Sequence, residues 1–346
     1  MTFNNKIVRA SSALMLAFAC LFGGVSSTLA AETVKINFAG MFAPNHPVTK
    51  AQKAFKKEVE AATDGRVKVR VFPANQLGDY TQVFEELRRG TIDMGLITIP
   101  SQFDTRLEIM YLHYLAMNYD EVRKTYMPGS YLFSTMERLV GDLGVKFMAF
   151  EVDGFGGLGL TKLPENIADP QTAKDVLLRV PPMDIFKVAA EDQGFQTVAV
   201  PFAELYTSLQ TGVADGWSGG SSMLNYLQFR DVIKHFVVTN NFIDAYGWLA
   251  SEKLWDKLTP EDRKIVRDAA LKYALQSIDE AEENDRVHQQ KLADKGINVV
   301  KLSDAELQAW AQQARNVTWP KLRSRLTDEL IDGMQAAYTM QQAAAQ

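Results

Sequence analysis

The first residue with chemical potential is an arginine inside a short apolar strand. Arg179 lies in Leu177-Leu178-Arg179-Val180-Pro181-Pro182, where two prolines stop the strand. Burying a guanidinium there is costly unless a carboxylate meets it. Two readings stand open: an internal salt bridge to an Asp or Glu, or an anchor gripping a ligand carboxylate with parallel N–H donors.

Other motifs promise chemistry that their surroundings do not support. Gly216-Trp217-Ser218-Gly219-Gly220 fits G-x-S-x-G, the nucleophile elbow, which needs a strand before it and an acid, then a histidine, after it. A helix (Ala203–Leu209) and a stub (Gly212–Asp215) precede it, and the later histidines are His235, close by, and His288, inside a long helical stretch. A secreted serine hydrolase using Ser218 is the enzymatic alternative, tested by fluorophosphonate labelling. Gly154-Phe155-Gly156-Gly157-Leu158-Gly159 fits G-x-G-x-x-G, but Pro164 arrives before any helix starts, so no helix N-terminus faces a pyrophosphate. It reads instead as a glycine-rich crossing between lobes. His46, His113, His235 and His288 show no i, i+3 or i, i+4 pairing, which excludes a recognisable zinc motif. The acidic run Asp279-Glu280-Ala281-Glu282-Glu283, with Asp285, reads as a solvated helix face.

The elements that must hold these residues follow from periodicity. Val34, Ile36 and Phe38 alternate up to Gly40, and a helical pattern runs from about Val48 to Thr63. Strand Val67–Phe72, helix Tyr80–Arg89 and strand Met94–Ile99 complete a β-α-β-α-β order, hence parallel strands with helical crossovers. Binding in such a lobe falls at the carboxyl ends of the strands, here Phe42–His46 and Thr98–Gln102. A second lobe starts after strand Val145–Glu151, with strands near Leu158–Thr161, Leu177–Val180 and Thr197–Val200 and helices at Ile185–Gln193 and Phe202–Leu209. Tyr246–Ser251 is again a strand. Pro260 to Lys295 contains no Gly and no further Pro, with Thr259 as N-cap and Gly296 as stop. About 36 helical residues span roughly 54 Å, wider than one lobe, so this helix braces two.

Length and composition agree. The 346 residues suit two domains; 47% are hydrophobic and 23% charged, which excludes a disordered chain. A net charge of -5 gives no basic footprint for nucleic acid. Lys6, Arg9, the apolar run Ala13–Val25 and Thr28-Leu29-Ala30 read as a signal peptide over residues 1–30, cut at Ala30/Ala31. Cys20 leaves with it, since bulky Phe18 does not fit a lipoprotein motif, and the mature chain has no cysteine. The expectation is export to the periplasm.

The stretches Leu178-Arg179-Val180-Pro181 and Val200-Pro201-Phe202-Ala203-Glu204-Leu205-Tyr206-Thr207-Ser208-Leu209-Gln210-Thr211-Gly212-Val213-Ala214-Asp215-Gly216 resemble the signature of tripartite ATP-independent periplasmic (TRAP) transporter substrate-binding proteins. Thr63–Val69, Phe72–Asp79, Arg89–Met94 and Trp255–Glu261 are similar to the family as well. The resemblance implies an α/β periplasmic binding protein fold with two lobes, a cleft between them and a long helix bracing both. The lobes would comprise residues 31–152 plus about 241–275, and 153–240 plus about 276–346. It implies a small organic acid ligand, integral membrane permease subunits as partners and no catalysis. No cofactor is expected, no residue pattern marks a metal site, no nucleic acid partner is expected from the charge, and a monomer is expected. Arg179 matches the family's carboxylate-binding arginine. The chain departs from the family at Asp153-Gly154-Phe155-Gly156-Gly157, where many members carry a second arginine, and at Trp217-Ser218-Gly219, where Gln-Glu-Asn is familiar. Trp217, Trp248, Phe155 and Phe42 are expected to form an apolar wall. Asp153, Asn45, Thr98, Gln102, Pro181 and Ser218 complete the candidate binding residues. A ligand sensor docking on a signalling receptor would have the same fold and pocket.

Overall fold

The computed structural model describes residues 33–343. The expected leader with Lys6, Arg9 and Cys20, and the Ala30/Ala31 cut, lie outside the described residues. From Thr33 onward the chain forms one compact unit.

The amino-terminal pattern folds as its periodicity requires. β1 (Val34–Gly40), α1 (Pro47–Ala62), β2 (Val67–Phe72), α2 (Tyr80–Arg89) and β3 (Met94–Ile97) form a parallel β2-β1-β3 core. Helices α3 (Tyr119–Thr125) and α4 (Tyr131–Gly141) lead into β4 (Val145–Phe155). The second sheet uses β5 (Leu158–Leu160), β6 (Leu177–Val180), β7 (Gln196–Ala199), β8 (Gly216–Ser218) and β9 (His235–Val238). Between these strands lie α5 (Asp184–Asp192), α6 (Leu205–Thr211) and the short α7 (Ser222–Leu224). β10 (Ile243–Ser251) then returns to the first sheet, antiparallel to both β3 and β4. The sheet orders are β2-β1-β3-β10-β4 and β11-β9-β5-β8-β6-β7, where β11 is Asn298–Lys301.

Three connections therefore join the sheets: two short crossings, from β4 to β5 and from β9 to β10, and a helical one from β10 to β11. β4 stays in the first sheet through Phe155, so the passage falls at Gly156-Gly157. A Cβ on Gly156 would come within 2.4 Å of the Phe242 ring, because the second crossing lies directly against the first. This glycine-rich stretch is backbone packing, and no helix begins there to face a phosphate.

After α8 (Glu252–Lys257) comes α9 (Pro260–Asp294), 35 residues or about 52 Å long. The Thr259 hydroxyl caps it by accepting from the Asp262 N–H at 3.1 Å. Ala270, Ala274, Ile278, Ala281, Asp285, His288 and Leu292 form its buried stripe. Small residues let the helix approach β4, where the Val152 N–H donates to the Ser277 hydroxyl at 2.8 Å. One sequence expectation fails here. Asp279, Glu280, Glu282 and Glu283 are exposed, but Asp285 is buried because it falls on the inward stripe four residues after Ala281. It accepts from the Tyr119 hydroxyl, from the Phe155 N–H at 2.9 Å and from the Ser222 hydroxyl at 2.8 Å. These donors come from α3, β4 and α7, so Asp285 ties the long helix to elements beside both sheets. Helices α10 (Asp304–Gln313), α11 (Trp319–Leu326) and α12 (Asp328–Ala343) end the described chain. Among the described residues no helix is long and apolar enough to cross a membrane.

Candidate ligand-binding site

Arg179 is 2% exposed, and the β6–β8 register places it beside Trp217. Neighbours in register point to the same face of a sheet, so guanidinium and indole emerge together. The Arg179 Nε–H donates to the Val200 carbonyl at 2.8 Å. That bond fixes the plane of the guanidinium and leaves its two terminal nitrogens without a protein acceptor among the described residues. No carboxylate there lies within ion-pair distance, so an internal salt bridge does not form. Burial pushes the guanidinium pKa down to about 10, against the attraction of Tyr80 and Asp79.

Arg179 borders a narrow cavity between the two sheets, about 50 Å³ in volume. Of the sequence candidates, Arg179, Pro181, Trp217, Ser218, Phe42 and Thr98 line it. Phe42 and Thr98 do so because they follow the carboxyl ends of β1 and β3, as parallel strand order requires. The Trp217 ring is held by its Nε1–H, which donates to Asn225 Oδ1 at 3.0 Å, and by Phe229 at 4.8 Å between centroids. Glycines make room for it. A Cβ at Gly159 would sit 2.5 Å from the indole nitrogen, and one at Gly220, where φ is +74°, would sit 2.3 Å from the ring.

The structure does not bring the other five candidates into the cavity. Asn45 and Gln102 lie in the expected loops but point to solvent. Trp248 is two residues beyond Tyr246 on β10, in the layer under α1. There it packs on Phe38 and Phe55 and donates to Glu151 Oε2 at 2.7 Å. Phe155 packs edge-on against Tyr119 at 5.0 Å between centroids, on the side of the crossing that faces α9. Asp153 is buried behind the crossing, where it accepts from the Ser221 hydroxyl at 2.5 Å and lies 3.7 Å from His46 Nε2.

Sequence reasoning missed several residues that share the cavity. The Tyr80 hydroxyl, at the start of α2 beside Arg179, is buried without a hydrogen-bond partner, and burial pushes its pKa up to about 12. Tyr80 follows the Asp79 N-cap after β2, another carboxyl end that the parallel-strand rule could have included. Asp244 and Tyr246 come from β10, and the Tyr246 hydroxyl donates to Asp244 Oδ2 at 2.7 Å. Burial pushes Asp244 up to about 6 despite that bond. The signal was an acid in the apolar run Ile243-Asp244-Ala245-Tyr246, the same signal that drew attention to Arg179. Phe202, from the segment before α6, meets Phe42 edge-on at 6.0 Å and closes the cavity from the second-sheet side. Among the described residues no histidine lines the cavity, and Ser218 makes no hydrogen bond to a histidine or carboxylate.

Residues 38–324 match the model of the bacterial extracellular solute-binding protein family 7, or DctP. The chain belongs to this family. These TRAP solute-binding proteins are a family of binders, not of enzymes. The chain is 26% identical over 317 residues to the C4-dicarboxylate-binding periplasmic protein DctP of Rhodobacter capsulatus, which covers 89% of this chain and 92% of that protein. The TRAP periplasmic solute-binding protein of Haemophilus influenzae, solved with bound L-gulonate, superposes with a TM-score of 0.80 at 24% identity. That match covers 88% of this chain and 99% of the other. A Shewanella oneidensis TRAP protein solved with succinate superposes at 0.79 with 23% identity, covering 88% and 99%. In this solute-binding fold the two sheets belong to two lobes, and the cavity is the cleft between them.

Proposed function

We propose that this chain is exported to the periplasm, closes its lobes on one small organic carboxylate held by Arg179, and delivers it to the membrane permease subunits of a TRAP transporter. The observation that carries this reading is Arg179 itself. It is a buried cation with no carboxylate partner among the described residues, one N–H spent on Val200 and its terminal donors free beside the cleft. A ligand carboxylate supplies the missing charge through two parallel bonds. The proposed lobes are residues 31–152 with about 241–275, and 153–240 with about 276–346. The chain acts as a monomer, by binding alone, with no cofactor. Closure is a population shift, because Phe42 and Phe202 enclose the ligand together only when the lobes meet.

Mass spectrometry of the small molecule released on denaturing the purified protein is the direct test. A ligand without an anionic group overturns the reading. With that ligand in hand, small-angle scattering should give a smaller radius of gyration for the liganded protein than for the stripped one, and equal radii would rule out closure. Trp217 supplies a second readout. Saturating ligand is expected to change tryptophan emission, and Trp217→Phe to remove most of that change, since the other four tryptophans do not line the cleft. An unaltered response in the variant would show that Trp217 does not meet the ligand.

A further inference from the structure

We propose that Asp244 is an acceptor pole facing the Arg179 cleft, which selects monocarboxylates bearing a hydroxyl or N–H donor and rejects dicarboxylates. The inference rests on the reading that Arg179 holds a carboxylate. Asp244 reaches the cavity from β10 in the first sheet and Arg179 from β6 in the second, and they do not form an ion pair with each other. Its Oδ2 accepts from the Tyr246 hydroxyl at 2.7 Å, and the Ser221 N–H lies beside the carboxylate. The charge that acts on it most directly is negative, from Asp285, and no cation balances it among the described residues.

Of the other polar side chains that line the cleft, two are already occupied. The Trp217 N–H is occupied by Asn225, and the Tyr111 hydroxyl accepts from the Ile99 N–H at 3.0 Å. The unpartnered Tyr80 hydroxyl stands next to Arg179 and adds a donor for the carboxylate. The rest of the lining is mostly apolar, from Met183, Phe186, Phe202, Trp217 and Phe242, with the side chains of Thr98 and Ser218 among it. A second ligand carboxylate at Asp244 sets two like charges side by side, which forces one to take up a proton. A donor-less ligand seals Asp244 from water with only the Tyr246 and Ser221 bonds to offset its charge. A hydroxyl or amino group satisfies it. The ligand class is therefore a small monocarboxylic acid with an apolar body and a donor at its other end.

Matched probes test this on wild type, Asp244→Asn and Arg179→Ala by calorimetric titration. One series is butyrate, 4-hydroxybutyrate, 4-aminobutyrate and succinate. The other is 4-methylbenzoate, 4-(hydroxymethyl)benzoate and terephthalate. In wild type the donor-bearing acid is expected to bind at least about tenfold tighter than its methyl or dicarboxylate counterpart, and the two butyrate derivatives separate hydroxyl from ammonium. Asparagine still accepts from Tyr246 but carries no charge, so Asp244→Asn should relax the penalty on the dicarboxylate to about threefold or less. A dicarboxylate that binds wild type as tightly as the donor-bearing acid overturns the role of Asp244. A failure of carboxylate capture reads out separately, as 4-hydroxybutyrate or succinate binding Arg179→Ala as tightly as wild type.

Discussion

Arg179→Ala is expected to weaken binding of the ligand recovered from the native protein by a factor of ~10² to 10³ or more, a loss of roughly 3–5 kcal/mol. The size follows from what stays behind. The truncated site holds a desolvated ligand carboxylate with only neutral donors such as the Tyr80 hydroxyl, where wild type offers two charge-assisted bonds. Arg179→Lys keeps the charge but not the planar fork, so it should recover only part of the loss. Stability of the ligand-free protein is expected to change little. Burial holds the guanidinium pKa down near 10, so removing the cation relieves a desolvation cost, while the lost bond to Val200 and the emptied volume act the other way. An internal ion pair would behave oppositely, with melting temperature falling and affinity per folded molecule preserved. Calorimetric titration and thermal melts on both variants separate these patterns. Affinity retained within about threefold (roughly 0.65 kcal/mol) in Arg179→Ala would remove Arg179 as the anchor.

The parts of this molecule legible in the sequence are those where local chemistry and tertiary role coincide. β1, β2, α2 and β6 begin and end where alternation, caps and prolines put them, and α9 falls one residue short of its expected end. The helices between Thr105 and Gly141 and those from Asp304 on have N-caps at Asn118, Ser130 and Ser303, but their apolar spacing is less regular, and their packing is against β4, α9 and the helical turn after α10. The site divides in the same way. Arg179 was readable because a charge in an apolar strand needs an explanation, and Asp244 offered the same signal. Trp248 and Trp217 are not distinguishable by composition. One lies under α1 and the other borders the cleft because β10 enters the first sheet deeply, whereas β8 is only three residues long. Asp285 could not be told from its acidic neighbours until the inward stripe of α9 was fixed by Ala274, Ile278 and Ala281.

Glu151→Gln is expected to stabilise the protein at neutral pH and to flatten its dependence on pH. Glu151 lies on β4 opposite Tyr246, is 3% exposed, and accepts from the Trp248 indole N–H at 2.7 Å. Burial pushes its pKa up to about 8, helped by Glu280 and opposed by the Trp248 bond. Below pH ~4.5 the folded and unfolded chains both hold the proton, so the group adds no pH dependence. Between ~4.5 and ~8 the folded chain keeps a proton that the unfolded chain has lost, so stability falls as pH rises. Above that window both are ionised and the full cost of the buried charge is present. At about 1.4 kcal/mol per pKa unit, the cost reaches on the order of 3 kcal/mol at pH 7. Glutamine keeps an oxygen for Trp248 and does not titrate. Its amide replaces the O–H of the protonated acid as the donor to be satisfied, so the two proteins should match near pH 4.5. They should diverge steadily toward pH 8, with the variant the more stable. The other buried carboxylates, Asp93, Glu108, Asp153, Asp244, Asp262 and Asp285, are common to both proteins, so the difference reports Glu151 together with its repulsion of Asp153. Denaturant unfolding at half-unit steps from pH 4.5 to 8.5 measures it. A difference constant to within about 0.5 kcal/mol across that range would mean that Glu151 stays ionised beside Trp248, with burial too weak to hold its proton.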